Sequence, residues 1–137
     1  MDLTRSELRE KIMIILYQIN VYETNKVEYD VDSIIKNVLE IDNEFVKDMV
    51  YGVITFKRVI DELANKYWNK WTIDRLGNTD QAIIRMSIYE MVYTKTPNVV
   101  VINEAIELAK LYCDDKVKDM INGVLDKIYH EELENEW

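Results

Sequence analysis

The sequence predicts an all-α protein, a compact bundle of six or seven helices in two small subdomains. Its 137 residues fit a single domain, residues 1–137. Three Gly and one Pro leave few positions where a helix must break. Apolar residues recur every three or four positions through most of the chain, which is the period of amphipathic helices. No apolar run approaches the roughly 18 residues of a membrane span.

Two helices are predicted before residue 40. Thr4 and Glu7 have the spacing of a capping box and predict a helix that continues to about Tyr22. Glu23–Glu28 is polar and is expected to be a loop. Asp30 is a suitable N-cap for a short second helix. Its apolar residues are Ile34, Ile35, Val38 and Leu39.

The longest apolar stripe predicts one continuous helix of about six turns. Asp42 and Asn43 offer caps at its start. Gly52 lies within this stripe and costs about 1 kcal/mol relative to Ala in a helix, so we expect a close helix crossing there. The members of the stripe are Phe45, Met49, Val53, Phe56, Ile60, Leu63 and Tyr67.

The second subdomain, about residues 67–130, follows a first subdomain of about residues 1–66. Residues 68–77 are expected to form a connecting turn, with room for a short helix after Thr72. Asn78 and Gln81 resemble a capping pair for the next helix, which ends before Pro97.

The last third of the chain predicts two more helices. Residues 99–102 are a β-branched run, too short for a sheet without a partner strand, so we expect them to lead into a helix that continues to Tyr112. Asp114 and Asp115 can cap the final helix. From Glu131, residues 131–137 are expected to be a frayed acidic tail.

Composition limits the function classes. The net charge of −9 argues against a simple nucleic-acid binder, although residues 57–75 sum to +2, so a local basic face is compatible with the sequence. Cys113 is the only cysteine, so no intrachain disulfide forms, and no signal peptide is evident. These features predict a cytoplasmic protein.

The sequence offers no set of catalytic residues. His130 is the only histidine, and Cys113 has no basic partner nearby in sequence. Metal-ligand spacing and a phosphate-binding glycine loop are both lacking. We therefore expect no enzyme activity, no metal and no cofactor.

Two features of the first helix allow a functional or a structural interpretation. Arg5 and Arg9 are four residues apart and share a face. They could clamp a phosphate, or they could be solvated charges with Arg9 or Lys11 paired to Glu7. Tyr17 could stack on an RNA base or belong to the core.

Six motifs in order resemble the NusB family and cover almost the whole chain. The run WTIDRLGNTDQAIIRMSIYE resembles the family's "W-x-x-x-R-L/I" and "D-x-A-I-L-R-x-A-x-Y-E". INEAIELAK and INGVLD are similar to "I-N-E-A-V-E-L-A-K" and "V-N-G-V-L-D". Leu8-Arg-Glu10 is similar to the family's "A-R-E", and the other short matches are "L-Y", "V-x-G-V" and "I-D". In chain order the motifs lie at Leu8–Glu10, Leu16–Tyr17, Val50–Val53 with Ile60–Asp61, Trp71–Glu90, Ile102–Lys110 and Ile121–Asp126.

The resemblance implies a two-subdomain helical fold and a role in transcription antitermination. Family members pair with NusE, a small-subunit ribosomal protein, bind boxA RNA in nascent ribosomal RNA leaders, and help RNA polymerase read through terminators. No membrane partner is implied. By this resemblance, Asp80 and Asp74 face NusE. The residues expected to face RNA are Arg5, Arg9, Lys11, Tyr17, Lys116, Lys118 and Met120.

Two departures from the family pattern support alternatives. Ser6 and Glu7 dilute the N-terminal arginine run, and Asp119-Met120 stands where the family has Lys-Phe. One alternative is a homodimeric protein-interaction module of the same fold with weakened RNA binding. Another is a domain that assists an RNA methyltransferase, since NusB-like domains also occur fused to such enzymes.

Overall fold

A computed structural model describes residues 2–68 and 72–134 and confirms the all-α prediction. The predicted tail beyond Glu134 and the motif residue Trp71 lie outside the described residues. None of the described helices combines the length and hydrophobicity needed to cross a membrane. The elements in these ranges are α1 (Arg5–Thr24), α2 (Val31–Val38), α3 (Glu44–Thr55), α4 (Lys57–Lys66), a 3-10 turn (Ile73–Arg75), α5 (Asn78–Tyr93), α6 (Asn98–Tyr112), α7 (Asp115–Ile128) and a π-helical turn (Tyr129–Leu133).

Side-chain caps start four of these helices where the sequence placed them. At α1 the Glu7 N–H donates to Thr4 Oγ1 at 3.1 Å, and the Thr4 N–H donates to Glu7 Oε1 at 2.9 Å, which completes the capping box. Asp30, Asn43 and Asp114 cap α2, α3 and α7 by accepting a backbone N–H three residues later.

Helices α5 and α6 begin differently from the prediction. No side chain caps α5, which follows Gly77, and Gln81 Nε2 instead donates to the Leu76 carbonyl at 2.8 Å. The capping-pair prediction for Asn78 and Gln81 was wrong. Helix α6 begins at Asn98 directly after Pro97, so residues 99–102 lie inside the helix.

The single long helix predicted from residue 45 to residue 67 is divided into α3 and α4 at Phe56. This residue has φ −105° and ψ 18°, outside helical values. The Phe56 N–H still donates to the Gly52 carbonyl, and the Phe56 carbonyl accepts from the Ile60 N–H, both at 2.9 Å. The apolar stripe therefore continues across the break.

Helix α5 is the centre of the bundle and packs against α1, α3, α4, α6 and α7. Its residues 82–88 are all buried. Helix α3 crosses it closely at Gly52, where an added Cβ would lie 2.1 Å from the Tyr89 ring, so the predicted crossing is confirmed. Because α1 also packs on α5, the main core spans the subdomain boundary predicted near residue 66, and that boundary stays a prediction.

The chain remains ordered beyond Ile128. Residues 129–133 form the π-helical turn, and Glu132 Oε1 accepts from Lys66 Nζ at 2.7 Å and from the Tyr67 hydroxyl at 2.6 Å. These contacts join the turn to Lys66 and Tyr67, in a segment that the sequence predicts to fray from Glu131.

Candidate functional site

Arg9 is a buried structural residue. Its Nε and Nη2 donate to the two carboxylate oxygens of Glu90 on α5 at 2.9 and 2.6 Å. The Arg9 residue is 5% exposed, and the Glu90 side chain is 2% exposed. These hydrogen bonds raise the pKa of Arg9 above its ordinary value. The prediction that Arg9 offers its guanidinium to RNA phosphate is corrected, because its bidentate group is occupied inside the bundle.

Arg5 stays at the surface on the same side of α1. Its guanidinium carbon lies 4.0 Å from the centroid of the Phe45 ring, and that of Arg9 lies 5.4 Å from it. The two arginines share a face, but this face turns toward α3. The cation–π contact orients Arg5, whose exposed side chain remains accessible to a phosphate.

Tyr17 lies at the surface of α1 and not in the core. It is 42% exposed, so its ring is accessible for stacking. Lys11 is half-buried and lies one turn after Glu7. Tyr17 is about 120° around the helix from Arg5, since twelve residues separate them at roughly 100° each. The predicted α1 residues therefore do not all face one ligand.

The corner between α6 and α7 is fixed beside α1. The Tyr112 hydroxyl donates to Glu10 Oε2 at 2.8 Å. Glu10 and Tyr17 are seven residues apart and share a helix face. The corner that carries the predicted lysines thus begins next to the face of α1 that presents Tyr17.

The predicted residues of this corner differ in accessibility. Lys116 is exposed, whereas the Lys118 side chain is 25% exposed and its Nζ lies 3.7 Å from Asp115 Oδ1. Met120 is half-buried and packs against the core, so only part of its side chain could contact a ligand. Asp119 is exposed and places a negative charge in the same turn.

The two predicted partner-binding acids occupy different environments. Asp74 is exposed in the 3-10 turn and accepts a hydrogen bond from the Thr72 hydroxyl. Asp80 is half-buried, and its Oδ1 accepts from Cys113 Sγ at 3.0 Å. Asp80 therefore links the start of α5 to the α6–α7 corner, and Asp74 presents more carboxylate surface than Asp80.

Two buried polar contacts of α5 were not identified from the sequence. Glu90 pairs with Arg9, and Arg85 donates to both carboxylate oxygens of Asp61 at 2.8 and 3.1 Å and to Asn20 Oδ1 at 3.1 Å. Arg85 and Glu90 are both buried. Their position within the largely apolar stretch of residues 82–92 was the available signal, since buried charges require partners.

Cys113 is the only cysteine of the sequence, and its side chain is half-buried. Burial and the neighbouring Asp80 raise the pKa of the Cys113 thiol to about 12, so it stays protonated near neutral pH. Residues 2–68 and 72–134 contain no group of three or more His, Cys, Asp or Glu side chains placed to hold a metal ion.

Comparison with characterised proteins gives consistent matches over nearly the full chain. The sequence profile of the NusB family matches residues 6–130. The transcription antitermination protein NusB of Listeria innocua is 38% identical over 130 residues, which cover 93% of this chain and 98% of that protein. NusB of Bacillus velezensis is 39% identical over 128 residues, 90% of this chain and 94% of its own.

Solved structures show the same fold. Thermotoga maritima NusB superposes with a TM-score of 0.81 at 30% identity, covering 96% of this chain and 94% of its own. A structure of NusB and NusE in complex with double-stranded RNA gives a TM-score of 0.78 at 27% identity, covering 92% of this chain and 96% of its own. The sequence and structure matches together show that this chain belongs to the NusB family.

Proposed function

We propose that this chain is a transcription antitermination factor that binds boxA-type RNA in nascent ribosomal RNA leaders together with NusE. It would help RNA polymerase read through terminators within an antitermination complex, acting by binding and not by catalysis. The observation that carries the proposal is the exposed Tyr17, which lies on the same face of α1 as Glu10, the residue that Tyr112 of the lysine-bearing α6–α7 corner contacts. An exposed aromatic ring suits single-stranded RNA, whose bases stack on such rings.

The charges of this surface predict weak binding by the chain alone. Lys116 and Lys118 supply positive charge at the corner, but Asp115 and Asp119 are exposed beside them, and Arg5 and Lys11 lie about 120° around α1 from Tyr17. Affinity for RNA depends strongly on the number of neutralised phosphates. A basic partner is therefore expected to supply much of the phosphate binding.

The carboxylates of Asp74 and Asp80 are candidate contacts for a basic NusE surface. Asp74 is exposed in the 3-10 turn. Asp80, through its contact with Cys113, lies between this turn and the RNA-facing corner. Complementary charge speeds association and fixes orientation. We infer that NusE docks at the region of Asp74 and Asp80 and extends the surface available to RNA.

The decisive experiment measures the binding of a fluorescent boxA-type RNA with and without NusE. We expect tighter binding once NusE is added. Tyr17→Ala should weaken binding by about 1–3 kcal/mol, the typical value of one stacked base. Tyr51→Ala is the matched control, because Tyr51 is 40% exposed and lies on α3. Asp119→Lys should strengthen binding by adding a phosphate contact. Equal RNA affinity with and without NusE would contradict the proposal.

The exposed acids of the α6–α7 corner favour one alternative, a homodimeric interaction module with weakened RNA binding. Asp115 and Asp119 repel phosphate where the corner would meet RNA. Sedimentation and an RNA titration at low salt separate the two functions. A dimer that fails to bind RNA even at low salt would favour the alternative.

A further inference from the structure

A groove lies between α1 and α6, and none of its lining residues is among the proposed RNA or NusE contacts. It encloses about 200 Å³. Glu7 and Glu10 line it from α1. Glu104 and Glu107 line it from α6, and Leu108 and Leu111 supply its apolar surface.

The walls of the groove are held together at both ends. Ser6 Oγ on α1 donates to Glu104 Oε1 on α6 at 2.6 Å. At the other end the Tyr112 hydroxyl donates to Glu10 Oε2 at 2.8 Å. A ligand therefore meets a preformed groove, which lowers the cost of binding.

The groove carries more negative than positive charge. Four carboxylates line it, two on each wall and about one helical turn apart. Arg9 Nη1 lies 3.7 Å from Glu104, but the same guanidinium is already paired with Glu90. Lys110 Nζ lies 3.2 Å from Glu107, and both side chains of that pair are more than half exposed. A surface pair of this kind is weak and yields readily to a competing cation.

Leu111 gives the groove an apolar anchor point. This side chain is 70% exposed, although Leu108 one turn earlier is buried. Burying a leucine stabilises a complex, and flanking carboxylates select lysine and arginine. An amphipathic helix with an apolar ridge between basic flanks has both features.

We propose that the α1–α6 groove binds a basic amphipathic helical segment of a protein partner. The apolar ridge of that segment covers Leu111. Its lysines or arginines pair with the glutamates of the two walls.

The test uses the full chain and a fluorescein-labelled synthetic peptide of about four helical turns (roughly 14 residues). The peptide has leucines along one helical face and lysines on both sides of it. A scrambled peptide of identical composition controls for charge alone. Leu111→Ser removes the apolar anchor, and Val99→Ser is its control because Val99 is also exposed but lies on another side of α6. Glu107→Gln removes one wall charge, and Glu131→Gln removes an exposed charge outside the groove.

We expect the patterned peptide to bind at least about tenfold more tightly than the scrambled one. Leu111→Ser should weaken binding about tenfold, and Glu107→Gln about threefold at low salt, with both controls unchanged. Circular dichroism confirms that each variant is folded. Equal affinity for the two peptides, or wild-type affinity in Leu111→Ser, would overturn the proposal. A third outcome would also overturn the proposal: the chain does not bind the peptide but forms a dimer, and Leu111→Ser dissociates that dimer. The occupant of the groove would then be a second copy of the chain.

Discussion

Removing either member of the Arg9–Glu90 pair should destabilise the fold, and Arg9 should be the more costly loss. Arg9→Met leaves the Glu90 carboxylate, with its side chain 2% exposed, without its cation. It also removes the cation 3.7 Å from Glu104. Glu90→Leu leaves Arg9 close to Glu104, whose side chain is 24% exposed and can partly compensate.

The expected magnitude follows from burial. Breaking a buried ion pair from one side costs about 3–5 kcal/mol, whereas replacing both partners with apolar residues is often neutral. Arg9→Met should lower the free energy of unfolding by an amount in that range, and Glu90→Leu should lower it by less. The double variant should be more stable than either single variant. Because small proteins are stable by only about 5–15 kcal/mol, the single losses would be large.

Urea unfolding followed by circular dichroism measures these differences. Arg58→Met is the matched control, because the Arg58–Glu62 pair at 3.3 Å is largely exposed and should contribute less than about 1 kcal/mol. An Arg9→Met variant as stable as this control would refute the reasoning. RNA binding adds a second readout. The folded double variant should bind boxA-type RNA like the wild type, since Arg9 is not at the surface.

Two further predictions concern α3 and the α6–α7 corner. Gly52→Ala should lower the free energy of unfolding by about 1–3 kcal/mol, because its Cβ would overlap the Tyr89 ring. Gly123→Ala should raise it by up to about 1 kcal/mol, because a Cβ at Gly123 has no neighbour within 4 Å. Thermal unfolding of both variants measures the contrast, and similar melting temperatures would contradict it. The Cys113 thiol should react slowly with a disulfide reagent at pH 8, because a pKa of about 12 leaves about one thiolate in ten thousand. Asp80→Asn removes a negative charge that helps raise this pKa, so the reaction should accelerate, and an unchanged rate would count against the Cys113–Asp80 contact.

Local signals predicted most of the fold. Each helix cap joins residues only three positions apart, so a short stretch of sequence is enough to predict it. This holds for the capping box at Thr4 and for the caps at Asp30, Asn43 and Asp114. The close crossing at Gly52 was also predictable, because an interior helical glycine is unfavourable without a packing reason.

The features that escaped prediction depend on longer distances or on small backbone changes. The break at Phe56 keeps the hydrogen bonds on both sides, so the apolar pattern passes through it unchanged. Arg9 finds its partner 81 residues away, and no local pattern distinguishes that buried pair from a solvated arginine. Glu132 likewise meets Lys66 across the fold.

The exposure of Tyr17, by contrast, was left open by the sequence. One tyrosine in an amphipathic helix fits either its core or its solvent side, and only the packing of α1 against α5 decides between them.

The buried polar contacts also determine how α1 and α5 align along their lengths. Arg9 meets Glu90 at one end of this antiparallel pair, and Asn20 meets Arg85 and the Asn78 carbonyl at the other. Sliding α1 by one turn, about 5.4 Å, would break all of these contacts at once. Neighbouring isoleucines and leucines could exchange positions with far less cost, because apolar attraction has no direction. The placement of Tyr17 relative to the first turn of α5 is therefore set by a few hydrogen-bonded groups within the core.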